Sequence, residues 1–162
     1  MTALRPFIAV LALAVATLAA AACGGGEEGE LSPANRAKAE QLLADLQSQD
    51  YHTFTRAPGW ETPRQQGTTT HHGAYLDVYI NDVLAQSVAG GGTAPWPVGS
   101  ILIKDGWSDA DGTMLFGIAA ARKEAGGWFG AEYAPDGTVR EAGLNFGECL
   151  GCHGDGDFVQ SF

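Results

Sequence analysis

Lysine, methionine and cysteine are all scarce in this chain. Among 162 residues there are three lysines (Lys38, Lys104 and Lys123), two methionines and three cysteines. Lys and Arg together number 9 against 19 Asp and Glu, a formal net charge of −10. So few cations exclude the clustered basic grip on phosphate that nucleic-acid binding demands. Three cysteines are too few for the disulfide framework of a small secreted scaffold, and the odd number leaves one over. The longest uncharged apolar run, Phe7 to Ala22, stops short of the ~20 residues of a membrane-spanning helix. No internal repeat is present. The chain is 45% hydrophobic and 17% charged, which fits one globular domain rather than a disordered segment.

The apolar run has another use. Arg5 precedes it, small residues close it, and the order positive–apolar–small is that of a secretory signal. Ala20-Ala21-Ala22 lead directly into Cys23, a junction that resembles a bacterial lipoprotein signal in which the cysteine becomes the lipidated first residue. Residues 1–22 are therefore expected to be a signal peptide and Cys23 to carry lipid. Acyl chains at ~0.8 kcal/mol per buried methylene would then hold the protein on a membrane facing the periplasm or the exterior. Ordinary signal cleavage, with Cys23 a spare thiol, is the plainer alternative. Residues 23–31, CGGGEEGEL, read as a flexible acidic tether. The folded domain is expected over 32–162, in an oxidising compartment.

Within that domain the pattern changes once. Ser32 and Pro33 make a helix start, and Ala37, Leu42, Leu43 and Leu46 recur at helical spacing up to Gln49. Asp50 to Thr70 reads as loop with one short strand. From there the spacing predicts strands over Tyr75–Ile80, Ser100–Lys104, Met114–Ala119 and Trp128–Tyr133, separated by Gly-, Asn- and Asp-rich turns, with Pro135-Asp136-Gly137 the strongest turn signal. One helix followed by closely spaced strands predicts an α+β fold: an N-terminal helix, then an antiparallel β-sheet meander.

The densest chemistry is at the other end. Cys149-Leu150-Gly151-Cys152-His153 is CxxCH. Two thiols at this spacing can add to the two vinyl groups of a haem, and the adjacent imidazole then reaches the iron as axial ligand. A thioredoxin-type redox pair, a zinc site completed by Asp155 or Asp157, and a strained local disulfide are the competing readings. No methionine follows the motif, and Met114 is the only one beyond the signal segment. A strong sixth ligand is thus not evident, and an iron open to small molecules is expected rather than a closed electron-transfer centre.

A C-terminal CxxCH also occurs in the four-helix cytochromes c′, but this chain has one helical run and several strands. From about His72 to Phe162 it resembles the cytochrome P460 family, which includes the cytochromes c′-β. The pieces that carry the resemblance are HGAYLDVYIND, WPVGSILIKDG, GGWFGAEYAPDGTV and ECLGCHGDGDFV. The resemblance implies a small, mainly antiparallel β protein with an N-terminal helix, commonly a homodimer. It implies haem c at Cys149 and Cys152 with His153 on the iron, and places Lys104 where P460 proper cross-links a lysine to the haem ring. Members of the c′-β type keep such a lysine without the bond. It also implies oxidation of hydroxylamine or related nitrogen compounds with an electron-transfer partner. The alternatives are NO or diatomic gas binding without rapid turnover, and simple electron transfer.

Hydroxylamine-oxidising members use a distal carboxylate as a proton relay. The corresponding stretch, Gly117 to Ala121, carries none; Asp105, Glu124 and Glu132 are the nearest acids in sequence. Tyr75 and Phe116 are candidates for the distal wall, competing with Trp128 and Phe129. His71 and His72 are either sixth-ligand candidates or surface residues. Arg122 and Lys123 are either partners of haem propionates or solvated strand ends.

Overall fold

A computed structural model describes residues 31–67, 71–145, 149, 152, 153 and 157. The expected signal segment, Cys23 and the tether up to Glu30 lie outside the described residues; Leu31, expected as the end of the tether, packs instead against the core beneath α1. No helix among the described residues is long and apolar enough to cross a membrane.

Helix α1 runs Pro33–Ser48, started as its sequence requires: Ser32 Oγ accepts the Asn35 N–H at 3.1 Å and Pro33 occupies the first turn. Its buried face is Ala39, Leu42, Leu43 and Leu46, an i, i+3, i+4, i+7 stripe. Ala37, expected on that face, is exposed and Ala39 takes its place. A one-turn 3-10 helix, Tyr51–Thr53, leads to two short strands, β1 (Thr55–Arg56) and β2 (Gln65–Gln66). Five longer strands follow: β3 (Tyr75–Ile80), β4 (Ile101–Trp107), β5 (Leu115–Glu124), β6 (Gly127–Tyr133) and β7 (Val139–Leu144). All pairings are antiparallel in the order β1-β3-β4-β5-β6-β7, with β2 also on β3. The α+β architecture expected from the sequence is present.

Several elements differ from the sequence reading. Asp50 to Thr70 holds two short strands rather than one, and an unexpected strand, β7, follows the Pro135-Asp136-Gly137 turn and pairs with β6. Asn81-Asp82 does not merely end β3: the Asn81 side chain accepts the Leu84 N–H at 3.2 Å and caps a second helix, α2 (Asp82–Ala89). Strand β5 extends through Ala119-Ala120-Ala121, residues of low strand preference, because neighbours on both sides supply ladder bonds that override it.

The sheet separates two apolar layers. On one side α1 packs over Tyr79, Ile103, Ile118, Ala120, Phe129, Tyr133 and Ala142. On the other, Leu76, Val78, Ile80, Leu102, Ala121 and Trp128 meet Leu84 of α2 and Trp96. Two aspartates, paired across β3 and β4, are buried on the α1 side. Asp77 accepts from Arg56 Nη1 at 2.8 Å, the Arg64 N–H at 2.9 Å and Trp107 Nε1 at 3.0 Å. Burial alone would raise its pKa, but these donors hold it below the ordinary value. Asp105 accepts from Tyr51 Oη at 2.8 Å and lies 3.0 Å from His52 Nε2; burial dominates there and raises it.

Candidate functional site

The layer opposite α1 is not filled evenly. Strand register sets Lys104, Ala119 and Glu132 in one cross-strand row, Leu102, Ala121 and Gly130 in the next, and Gly106 opposite Gly117 beyond. The alanines and glycines of these rows leave the sheet low between the longer side chains, and a cleft of about 510 Å³ opens above it. Its floor is Ala119 and Ala121, its sides include Leu102, Lys104 and Glu132, and its cover is Cys149, Cys152, His153, His71 and His72. Gly106 is required where the covering chain crosses: a Cβ there would overlap the His72 carbonyl oxygen.

The C-terminal motif reaches the cleft although it is distant in sequence from the strands beneath it. Cys149, half-buried against the α2-side core, Cys152, exposed, and His153 are helical, and both thiols are free of disulfides. Asp157 fastens the segment. Its carboxylate accepts from Trp128 Nε1 at 2.5 Å, the Trp96 N–H at 2.8 Å and Lys123 Nζ at 3.1 Å. Lys123 is therefore not a solvated strand end: its amine pairs with Asp157, both side chains being largely covered. Arg122 pairs instead with Glu124, at 3.1 Å. Asp157→Ala is expected to cost about 3 kcal/mol, for one ion pair and two hydrogen bonds from neutral donors to the carboxylate. Denaturant melts check this, with faster proteolysis beyond residue 145 as the local signature. Asp157→Asn, which keeps an acceptor oxygen, should lose less.

Burial lowers the basicity of two nitrogens in the cleft. Burial lowers the Lys104 pKa, against the opposing pull of Cys149 and Glu132. Burial, then the charges of Lys104, His71 and His153, push His72 down to about 3. The His72 ring lies 4.9 Å from that of His71 and 6.2 Å from that of His153, centre to centre. Glu132 Oε1 is 3.3 Å from His71 Nε2 and 3.5 Å from His72 Nδ1.

Of the site residues read from sequence, Cys149, Cys152, His153 and Lys104 come together. Tyr75 and Phe116 do not join them. Tyr75 shares strand parity with Asp77 and Tyr79, on the α1 side of the sheet. Phe116 is 39% exposed and borders a smaller hollow of about 210 Å³, with His71, His72, Glu132 and Arg140. His72 is half-buried at the cleft rather than on the surface, while His71 is exposed. Glu132, one of the three acids nearest in sequence to Gly117–Ala121, stands beside Ala119 on the adjacent strand.

No protein-family model matches this chain, and no curated protein matches it.

Proposed function

We propose that the chain is an exported c-type cytochrome, similar to cytochrome P460, that carries one haem in the cleft and oxidises hydroxylamine or a related small nitrogen compound. The observation that carries this reading is the meeting of Cys149, Cys152 and His153 with the Lys104 amine and the Glu132 carboxylate around one cavity. The donor set fits the group. Two thiols are available for thioethers, one imidazole for the iron and one deprotonatable amine for the ring, above a floor of alanine that a flat apolar macrocycle can lie on. An anchor through lipid on Cys23, an electron-transfer partner and a homodimer belong to the same proposal.

Haem, when bound, would supply the electron-accepting chemistry. The chain supplies placement and proton movement. Ala119 and Ala121 leave room above the sheet and put no polar side chain there. Glu132 is the one acid lining the cleft among the described residues, and its oxygen can take a proton from a hydroxylamine N–H or O–H. His71, exposed and 3.3 Å from that oxygen, can pass the proton to solvent. His72, held neutral, can orient the carboxylate without competing for the proton. Proton removal is the step that a merely gas-binding cleft would not need.

The optical spectrum tests the lysine. A ring bond to Lys104 should shift the ferrous Soret band well to the red of an ordinary c-type haem, and Lys104→Ala should return it. An ordinary band in the unmodified protein would remove the P460-type reaction and leave c′-β-like gas binding. A red-shifted band that survives Lys104→Ala would remove the role of this lysine.

A further inference from the structure

The small hollow beside the cleft points to a second ligand. Two imidazoles and one carboxylate face each other there, all three ligand atoms within 4.8 Å of one another. The nitrogen–oxygen separations are 3.3 Å for His71 Nε2 and 3.5 Å for His72 Nδ1, both to Glu132 Oε1. These are long for charge-assisted hydrogen bonds, which run ~2.7–2.9 Å. Two of the three edges are thus close to the ~3.3 Å edge of a tetrahedron whose centre lies ~2.0–2.1 Å from each corner, the bond length of zinc to imidazole and carboxylate, and the third is within 4.8 Å.

We propose that His71, His72 and Glu132 form a binding site for a divalent transition-metal ion of the zinc class, at the rim of the cleft and distinct from CxxCH. Two imidazoles with one carboxylate suit borderline cations and not Mg²⁺ or Ca²⁺, which take oxygen. Backbone geometry holds the set in place. Glu132 is fixed by its ladder partners Ala119 and Glu141 in the middle of the sheet, and the His72 carbonyl is seated on Gly106. The site is accessible, because the His71 side chain is 57% exposed and the hollow opens past Phe116. Arg140 borders the same hollow, but its guanidinium is directed to Phe116: Nη2 lies 3.4 Å from that residue's carbonyl and the group sits 5.6 Å from the ring centre. Three protein ligands leave a fourth position for water or another small donor, as in catalytic rather than structural zinc sites. Zinc on Glu132 would occupy the lone pairs that the proposed proton relay uses, so bound metal would slow hydroxylamine turnover while the haem stayed in place.

Calorimetric titration of the full, haem-loaded protein with Zn²⁺, and absorption fine structure at the zinc edge, test the site. The expected result is one zinc per chain with nitrogen and oxygen neighbours at ~2.0–2.1 Å. Glu132→Gln and His71→Ala should each weaken it by more than the ~10–100-fold that loss of an outer-sphere partner costs. His52→Gln, a histidine on the other side of the sheet, should leave it unchanged. Fine structure on the unmodified chain keeps the test independent of whether a variant folds. Absence of stoichiometric zinc at micromolar concentration, or zinc retained by the His71→Ala/Glu132→Gln double variant, would overturn the site. Sulfur in the zinc shell would also overturn it.

Discussion

The Cys149→Ser/Cys152→Ser double variant is expected to carry no haem after denaturation, while keeping its β-sheet circular dichroism. Thioether formation needs a sulfur that adds to a vinyl carbon, and a hydroxyl at the same position does not perform that addition. Each single variant should retain one thioether at most and lose a large part of its haem on denaturing gels. The fold should survive, since neither cysteine belongs to a strand: Cys152 is exposed and Cys149 touches the α2-side core only at its edge. Haem staining and absorbance after acid–organic extraction check the loss. A double variant that still stains would contradict the covalent attachment.

The second large effect is on turnover. Glu132→Gln is expected to lower kcat for hydroxylamine oxidation by about 10²–10⁴-fold, the range of positioned general acid–base catalysis. The amide keeps the size and shape of the side chain and its ladder position opposite Ala119, but it cannot accept a proton. Haem content and the optical spectrum should be unchanged, which separates a lost base from a lost cofactor. Binding of substrate should change little, so the loss falls on kcat rather than KM. Glu132→Asp, with a shorter carboxylate, should recover part of it. A kcat within about threefold of the unmodified protein would remove Glu132 from the reaction, since so small a change lies far below the catalytic range.

What the sequence disclosed and what it hid divide along physical lines. Helix α1 is legible because its signals are local: a serine cap, a proline in the first turn and leucines at helical spacing. The CxxCH motif is legible for the same reason, its chemistry being set by adjacent residues. Glu132 was named only as one of three nearby acids, because its place beside Ala119 is set across strands. The signal was nevertheless in the turn. A two-residue connection, Ala125-Gly126, between Glu124 and Gly127 fixes the register of β5 on β6, and counting back from it places Glu132 opposite Ala119. His72 was hidden because its burial depends on Gly106, a residue in another strand that gives room for its carbonyl. Asp157 read only as an acid near the cysteines. Its partners come from two separate parts of the chain, Trp96 and the β5–β6 hairpin in which Lys123 and Trp128 face each other, and no spacing rule joins either to Asp157. Helix α2 was missed because Asn81-Asp82 serves equally as a turn and as a helix cap, and only the burial of Leu84 decides between them.

Mass spectrometry of the peptide spanning Cys149 and Cys152, taken from protein exported in a host that attaches haem, tests the assignment most directly. The expected result is that peptide carrying one haem, with neither thiol open to alkylation. Two free thiols, or a disulfide joining them, would contradict a haem-bearing cleft and with it the proposed function.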